Sequence, residues 1–251
     1  MSVEELSFWV AMAGTVAFAS SAVLSVAEKK VDLFAAVVLG IITAVGGGTI
    51  RDIILDVPVF WSTDLSYIWV AMVASCATFT AFKFFSTHSV HQLFLYVDAV
   101  AVAMFAIQAT AKVWDHNFGV PLAPILLGIT TSIGGGLIRD VLVGQDTLLL
   151  SRDLYAVPIT IGCVLFTLVL AFADEFRSHG AIACILVTFG IRAGAIRFDW
   201  RIPEWATLGH DRSPLREPIR VGKKKSHRTG EQEVHQKQQS KENKTAKTES
   251  D

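Results

Sequence analysis

Residues 40–53 read GIITAVGGGTIRDI, and residues 128–141 read GITTSIGGGLIRDV. The two stretches keep a constant offset of 88 residues, and each contains the heptad GGGxxRD in an apolar context. Two such heptads in matching surroundings do not arise by chance. Self-similarity at a fixed offset is the sequence signature of a repeated structural unit, so the chain contains two copies of one unit.

The apolar segments around these stretches are long enough to cross a membrane. A helix needs about 20 apolar residues to span the roughly 30 Å hydrocarbon core. Seven segments meet this requirement, with approximate ranges 7–27, 32–50, 65–84, 92–113, 120–138, 154–173 and 180–197. The sequence therefore predicts an all-α integral membrane protein with seven transmembrane helices.

The charged residues are concentrated near the C-terminus. Positions 197–251 contain 13 of the 22 Lys and Arg residues and 9 of the 23 Asp and Glu residues. The other 196 residues are only about 12% charged, against roughly 25% in soluble domains. This excludes an ordinary soluble enzyme for most of the chain, and the net charge of −1 argues against a nucleic-acid partner. The polar tail cannot bury a core, so we expect it to be disordered.

Each copy of the unit holds three predicted helices. Because three is odd, the second copy enters the membrane from the opposite side, and the two copies are inverted repeats. Inverted repeats are typical of proteins that move solutes across membranes. The predicted parts are the first repeat (1–90), the second repeat (91–176), the seventh helix with its end (177–203) and the tail (204–251).

The orientation follows from the Lys and Arg residues of short loops, which favour the cytoplasmic side. With the N-terminus outside, four of these residues fall in cytoplasmic loops and two in outer loops, and the basic tail is cytoplasmic. The cytoplasmic loop residues are Lys29, Lys30, Lys83 and Arg152, and the outer ones are Lys112 and Arg177. We therefore expect the N-terminus outside and the C-terminus in the cytoplasm.

Each copy carries three consecutive glycines in its second helix. They are Gly46, Gly47, Gly48, Gly134, Gly135 and Gly136. A glycine costs a helix about 1 kcal/mol relative to alanine, and we expect the second and fifth transmembrane helices to break at the triplets. The freed backbone groups would line a cavity, since unpaired backbone at membrane depth requires water or protein around it. The alternative is that the glycines only permit close helix packing.

An arginine and an aspartate follow each triplet, as Arg51–Asp52 and Arg139–Asp140. A charge in hydrocarbon costs several kcal/mol, so it faces the protein interior or pairs with another group. Each arginine is a structural clamp on backbone carbonyls, an electrostatic element of a pore, or a contact with lipid headgroups. The repeat places Arg51 in the outer half of the membrane and Arg139 in the inner half.

Other polar side chains within the predicted helices are candidates for the lining of a pore. The hydroxyl residues are Thr43, Thr130, Thr131, Ser132, Ser20 and Ser21. Hydroxyl oxygens can contact a partly dehydrated cation, although Ser and Thr also bond back to their own helix. Asp98 is the one carboxylate well inside a predicted span, and it either lines the path or lies near the headgroups. The sequence shows no pattern for a cofactor or a tightly bound metal.

Several groups of residues resemble the bacterial members of one family. They are 17–22 (AFASSA), the paired GGGxxRD segments, 57–61 (VPVFW), 154–156 (LYA) with Gly162, and 191–192 (IR) followed by Trp200 and Pro203. The family is that of the trimeric intracellular cation (TRIC) channels, also known as UPF0126 or the glycine transporter family. The resemblance covers about residues 1–205.

The resemblance implies a homotrimer in the inner membrane of a bacterium, surrounded by lipid, with a separate pore in each seven-helix protomer. It implies passive conduction of K⁺ and also Na⁺, bound only transiently, along a path lined by the second and fifth helices. Family members often carry an acid near the start of the first helix, at the position that matches Asp98 in the second copy. Here that position is Val10, so one of the two acids is missing.

Three functions remain open at this point. The leading hypothesis is a passive K⁺-permeable channel, because a filter of carbonyl and hydroxyl oxygens needs no energy source. The second is a secondary carrier for glycine or another small zwitterion, with helix N-termini for the carboxylate and Asp98 for the amine. The third is a non-conducting membrane scaffold. None is enzymatic, since the sequence holds no nucleophile elbow, Walker motif or metalloprotease helix.

Overall fold

A computed structural model of the 251-residue chain describes residues 3–84, 90–149 and 154–200. Three of the sequence-based predictions lie outside these residues. They concern the disordered tail (204–251), Arg152 and the side chain of Lys83. The described residues all belong to one compact unit, Met1–Glu204.

The described residues form α-helices joined by short connections, and they contain no strand. The helices are α1 (Val3–Ser25), α2 (Leu33–Ile54), α3 (Phe60–Thr63), α4 (Ser66–Phe84), α5 (Val90–Asp115), α6 (Leu122–Val143), α7 (Ala156–Phe172) and α8 (Arg177–Phe198). A single 3₁₀ turn, Asp174–Phe176, precedes α8. Each of the seven predicted segments coincides with one long helix, and the prediction missed the one-turn α3 and the 3₁₀ turn. The all-α fold is therefore confirmed.

Five helical segments are long and apolar enough to cross a membrane. They are Glu5–Ser25, Leu33–Ile54, Val90–Asp115, Leu122–Val143 and Asp174–Phe198. Two shorter apolar helical segments, Ser66–Phe82 and Ala156–Phe172, fall below that length. A helix of 17 residues still extends about 26 Å, which is close to the thickness of the hydrocarbon core.

The expected helix breaks at the glycine triplets are wrong. Helix α2 is uninterrupted through residues 46–48, and helix α6 is uninterrupted through residues 134–136. Breaking either helix would free backbone groups at membrane depth, each costing several kcal/mol, whereas a helical glycine costs only about 1 kcal/mol. The alternative interpretation, close packing, describes what the glycines do.

The triplets lie where α2 and α6 cross in direct backbone contact. A Cβ atom on Gly47 would clash with the carbonyl oxygen of Thr131, and one on Gly135 would clash with that of Thr43. These contacts join 47 to 131 and 43 to 135, so the two helices run antiparallel. Adding the 88-residue offset to Gly47 gives Gly135, and adding it to Thr43 gives Thr131. Each contact therefore maps onto the other when the two helices are exchanged, as a local two-fold axis requires.

The same correspondence extends to the neighbouring helices. A Cβ on Gly40 would meet Ser75 of α4, and one on Gly128 would meet Cys163 of α7, again at an offset of 88. Helices α1, α2 and α4 pack together, as do α5, α6 and α7, and α1 packs along α5 between the two groups. Helix α8 packs on α5 and α7. The core between them is built of small residues with Phe18 and Phe105, whose ring centroids lie 5.1 Å apart.

Candidate functional site

The first arginine centre lies at the C-terminal end of α2. Arg51 is 2% exposed, and its Nε and Nη2 both lie 2.8 Å from Oδ1 of Asp52. Its Nη1 donates to Oε1 of Gln108 on α5, at 3.1 Å, and its guanidinium lies 5.8 Å from the ring centroid of Phe60. Lys112, also on α5, donates from Nζ to Oδ1 of Asp52 at 2.9 Å. Two cations thus share one carboxylate.

The second arginine centre lies at the C-terminal end of α6 and is fully buried. Nε of Arg139 donates to Oδ1 of Asp140 at 2.8 Å. Its Nη1 donates to Oδ1 of Asp98 on α5 at 2.6 Å and to Oγ of Ser21 on α1 at 2.9 Å. The guanidinium lies 4.6 Å from the ring centroid of Phe94. One cation is thus held by two carboxylates.

The two aspartates close the loops that follow α2 and α6. Oδ2 of Asp52 accepts a hydrogen bond from the backbone N–H of Phe60 at 2.9 Å, and Oδ2 of Asp140 accepts one from Leu148 at 3.1 Å. Both donors lie eight residues after their aspartate. The RD pair therefore has the same structural task in both copies, in which the arginine binds one carboxylate oxygen and the loop binds the other.

The backbone of the two loops also matches. Four residues after each aspartate, Asp56 and Gly144 adopt left-handed conformations, with φ of 55° and 67°. One residue further on, Val57 and Gln145 donate their N–H to the carbonyl of the respective aspartate, at 3.1 and 3.0 Å. This pattern is the Schellman motif that commonly ends a helix, and it shows that α2 and α6 end in the same way.

The arginines do not bind backbone carbonyls, and their side chains are enclosed by protein rather than by lipid headgroups. Each clamps a carboxylate on its own helix to a polar group on α5 or α1. Because a buried charge is stable only when it is paired, these contacts explain how the charges are tolerated. The sequence left an interior position and a headgroup contact open for both arginines, and only the structure shows that they are buried and which groups they bind.

The hydroxyl residues mostly bond to their own helix. Thr43, Thr130, Thr131, Ser132 and Ser21 donate to the carbonyl oxygens of Leu39, Leu126, Leu127, Ile129 and Phe18, respectively. Ser20 instead accepts from Thr78 of α4 at 2.9 Å. Thr130 is exposed on the outer surface of the unit, so it lies away from the arginine centres. Of this set, only Ser21 contacts an arginine.

Asp98 lies in the interior and not among the headgroups, because it is 0% exposed. Its Oδ2 and the Nη2 atom of Arg139 are buried without a hydrogen-bond partner. Gly136 lies beside them, since a Cβ at that position would be 3.3 Å from the Tyr155 hydroxyl and 3.4 Å from Nη2 of Arg139. The glycine leaves room for this polar cluster.

Two cavities lie at opposite ends of the helical unit. One, of about 630 Å³, is bounded by the N-terminal parts of α1 and α4, the end of α5 and the α7–α8 connection, and it reaches Gln108. The other, of about 480 Å³, lies between the end of α1, the start of α5 and the loop after α6, and it reaches Phe94. Each cavity thus ends at a residue that contacts one buried arginine.

Several residues of the two centres are absent from the site predicted from the sequence. Lys112 was used only for orientation, yet it pairs with Asp52. Tyr67 and Tyr155 are related by the same offset of 88 residues. The first lines the larger cavity, and the second is buried under Arg192 of α8, whose guanidinium lies 4.3 Å from its ring centroid. Extending the 88-residue comparison beyond the heptads would have found the tyrosines.

Comparison with known proteins identifies the family. The family model described as "Glycine transporter" matches residues 8–83 and 95–171, one segment in each half of the chain. The UPF0126 inner membrane protein YadS of Escherichia coli K12 is 36% identical over 204 residues, which cover 80% of this chain and 97% of that protein. A UPF0126 membrane protein of Vibrio cholerae is 35% identical over 202 residues, covering 80% and 83%.

Solved structures share the fold. The TRIC trimeric intracellular cation channel orthologue from Rhodobacter sphaeroides superposes with a TM-score of 0.73 at 28% identity, covering 77% of this chain and 98% of that one. A structure described under conductance through TRIC cation channels gives 0.70 at 27% identity, covering 84% and 100%. These relatives are membrane proteins and channels, so the conclusion that the chain is not an enzyme is confirmed. The chain is an all-α membrane protein of the UPF0126, or glycine transporter, family and has the fold of the bacterial TRIC channels.

Proposed function

We propose that the protein is a passive channel for monovalent cations, permeable to K⁺ and also to Na⁺. The observation that carries this proposal is the pair of cavities that approach each other from opposite ends and stop at the two arginine centres. Between them, Oδ2 of Asp98 is a buried carboxylate oxygen without a hydrogen-bond partner. A passing cation can use such an oxygen in place of part of its hydration shell.

The pathway runs within one protomer, between α1, α2, α5 and α6. It passes the glycine crossing of α2 and α6. Its constrictions are the two arginine centres, whose side chains have to move aside for conduction. The similar protein from Rhodobacter sphaeroides is described as a trimeric intracellular cation channel, which supports cation passage and a trimer. In the proposed homotrimer each protomer has its own pore. The seven long helices are the seven membrane spans. The first inverted repeat consists of α1, α2 and α4, and the second consists of α5, α6 and α7.

A direct test is recording from purified protein in planar bilayers under a KCl gradient. We expect discrete current steps that reverse near the K⁺ equilibrium potential. Replacing K⁺ by Na⁺ on one side should keep a current, and replacing Cl⁻ by a large anion should leave the reversal potential unchanged. Protein that folds and inserts but gives no steps at either polarity would contradict the proposal.

A second function is favoured by one observation. The unpartnered Nη2 of Arg139 and Oδ2 of Asp98 are oppositely charged groups in one cluster, and they could bind the carboxylate and the amine of glycine. The family description is consistent with this function. Uptake of labelled glycine into the same liposomes, without current steps, would favour a carrier over a channel.

We also propose that the protein lies in the inner membrane with its N-terminus outside and its C-terminus in the cytoplasm. The Escherichia coli relative is an inner membrane protein, and the short-loop charges favour this orientation. Green fluorescent protein fused to the C-terminus should therefore fluoresce, because it folds in the cytoplasm and not after export. An alkaline phosphatase fusion at the same point should be inactive, and the reverse pattern would show the opposite orientation.

A further inference from the structure

The two arginine centres carry opposite net charge. At the Arg139 end, one guanidinium is bound by two carboxylates, those of Asp98 and Asp140, which gives −1. At the Arg51 end, a guanidinium and the ammonium of Lys112 share the single carboxylate of Asp52, which gives +1. A pathway between the two cavities therefore meets a negative centre at one end and a positive centre at the other.

The difference has an identifiable origin in the sequence. Val10 lies 88 residues before Asp98 and thus occupies the matching position of the first copy. Val10 and Gln108 line the same small slot between α1, α5 and α8, and Gln108 is the neutral partner of Arg51. Where the second copy has a carboxylate, the first copy offers a hydrocarbon side chain and an amide.

Arg192 does not cancel the difference. Its guanidinium lies 4.3 Å from the ring centroid of Tyr155 and donates to the carbonyl oxygen of Leu154. Even if its charge is added to this centre, the Arg139 end becomes neutral and the Arg51 end remains at +1. Because the charges lie in a low-dielectric interior, a difference of one unit is felt strongly by a passing ion.

We propose that this asymmetry makes the pathway rectify, so that K⁺ passes more easily from the Arg139 end to the Arg51 end than in reverse. The inference rests on the proposed channel function. A cation meets a favourable site at the Arg139 end and its main barrier at the Arg51 end, away from the membrane centre. A cation that enters from the Arg139 end crosses more than half of the membrane thickness before it reaches this barrier. A potential that drives cations towards the Arg51 end therefore lowers the barrier more than a potential of the opposite sign does for cations moving in reverse.

The expected size follows from the membrane field. A potential of 100 mV changes the energy of one charge by roughly four times RT across the whole membrane. A barrier displaced from the centre by about a tenth of the thickness then gives a current ratio of about two between the two polarities. In the proposed orientation, the Arg51 end faces outwards, so the larger current is outward.

Charges in the cavities also act on the current and have to be separated from this effect. The larger cavity holds Asp115, Asp174, Glu175 and Arg177, and its excess of carboxylates attracts cations to the Arg51 end. The three carboxylates are exposed to solvent and Arg177 is partly exposed, and at 1 M salt the Debye length is about 3 Å. Recording in symmetric 1 M KCl therefore suppresses their contribution and leaves that of the buried centres.

The test compares current ratios at +100 and −100 mV in patches from giant spheroplasts, where the orientation is that of the cell. We expect a ratio of about two or more for the unchanged chain. Val10→Asp adds a carboxylate to the Arg51 end, and Lys112→Gln removes a cation while keeping a donor for Asp52. Each should lower the ratio, and the double variant should bring it to about one or below.

The matched control is Asp64→Asn. Asp64 precedes α4 on the side of the Arg51 end, is partly exposed, and lines neither cavity, so its loss should leave the ratio unchanged. Currents of equal size at both polarities in the unchanged chain would overturn the inference and leave the channel intact. A ratio that neither Val10→Asp nor Lys112→Gln alters would do the same. Absence of current in the unchanged chain as well as in every variant would overturn both the inference and the channel function.

Discussion

Replacing Gly47 by alanine is expected to destabilise the protein by about 3 kcal/mol or more, the upper part of the range for overpacked cores. The added Cβ would clash with the carbonyl oxygen of Thr131, a backbone atom that cannot rotate away. The two helices would have to separate, and the contacts around the crossing would be lost with them. Gly135→Ala should have the same effect, because its Cβ would clash with the carbonyl of Thr43.

Gly190 on α8 provides the control. A Cβ at Gly190 would meet no atom within 4 Å, and the residue lies inside a helix. Gly190→Ala should therefore leave the stability unchanged or raise it by up to about 1 kcal/mol through helix propensity. The unfolding temperature of all three variants is measured in detergent, with size-exclusion chromatography to monitor the loss of folded protein on heating. If Gly47→Ala unfolds at the same temperature as Gly190→Ala, the crossing is looser than the structure indicates.

Removing the carboxylate of Asp98 is expected to cost about 1.5–3 kcal/mol, the range for a hydrogen bond to a charged group, because Arg139 keeps its pairing with Asp140. Asp98 and Arg139 are both 0% exposed and lie 2.6 Å apart. Asp98→Ala leaves the guanidinium with one carboxylate instead of two in a medium that cannot solvate it. The loss should appear as a lower unfolding temperature in detergent.

Asp115→Ala is the matched control for Asp98→Ala. Asp115 pairs with Arg177, but their side chains are 47% and 20% exposed, and pairs of this kind contribute at most about 1 kcal/mol. The double variant Asp98→Ala with Arg139→Met should not recover the loss, because Asp140 would then keep a buried carboxylate without its cation. Equal effects of Asp98→Ala and Asp115→Ala would show that the buried pair contributes little to stability.

The positions of the long helices could be predicted from the sequence because hydropathy is a local property. The predicted segment 92–113 lies within α5 (Val90–Asp115), and 180–197 lies within α8 (Arg177–Phe198). The 88-residue offset likewise indicated that Arg51 and Arg139 have matching environments. It could not indicate which groups on α5 or α1 they contact, since Gln108 and Ser21 are distant in sequence.

The glycine triplets show most clearly where local reasoning ends. Each glycine destabilises a helix by about 1 kcal/mol relative to alanine. From helix propensity alone, a break of α2 and α6 at the triplets is the expected result. The cost of a break depends on what surrounds the freed backbone, and the partner of Gly47 is the backbone of Thr131, 84 residues away. Only the assembled fold decides whether such a segment lines a cavity or packs against another helix.

The sequence by itself therefore determined the membrane class, the number and position of the long apolar helices, and the presence of two related units. These features depend on composition and on spacing along the chain. The tertiary structure alone decided that α2 and α6 are continuous, that the RD pairs close the loops after them, and that Lys112 joins Asp52. Such features depend on which distant groups meet in a low-dielectric interior, where each buried charge and each backbone group requires a partner.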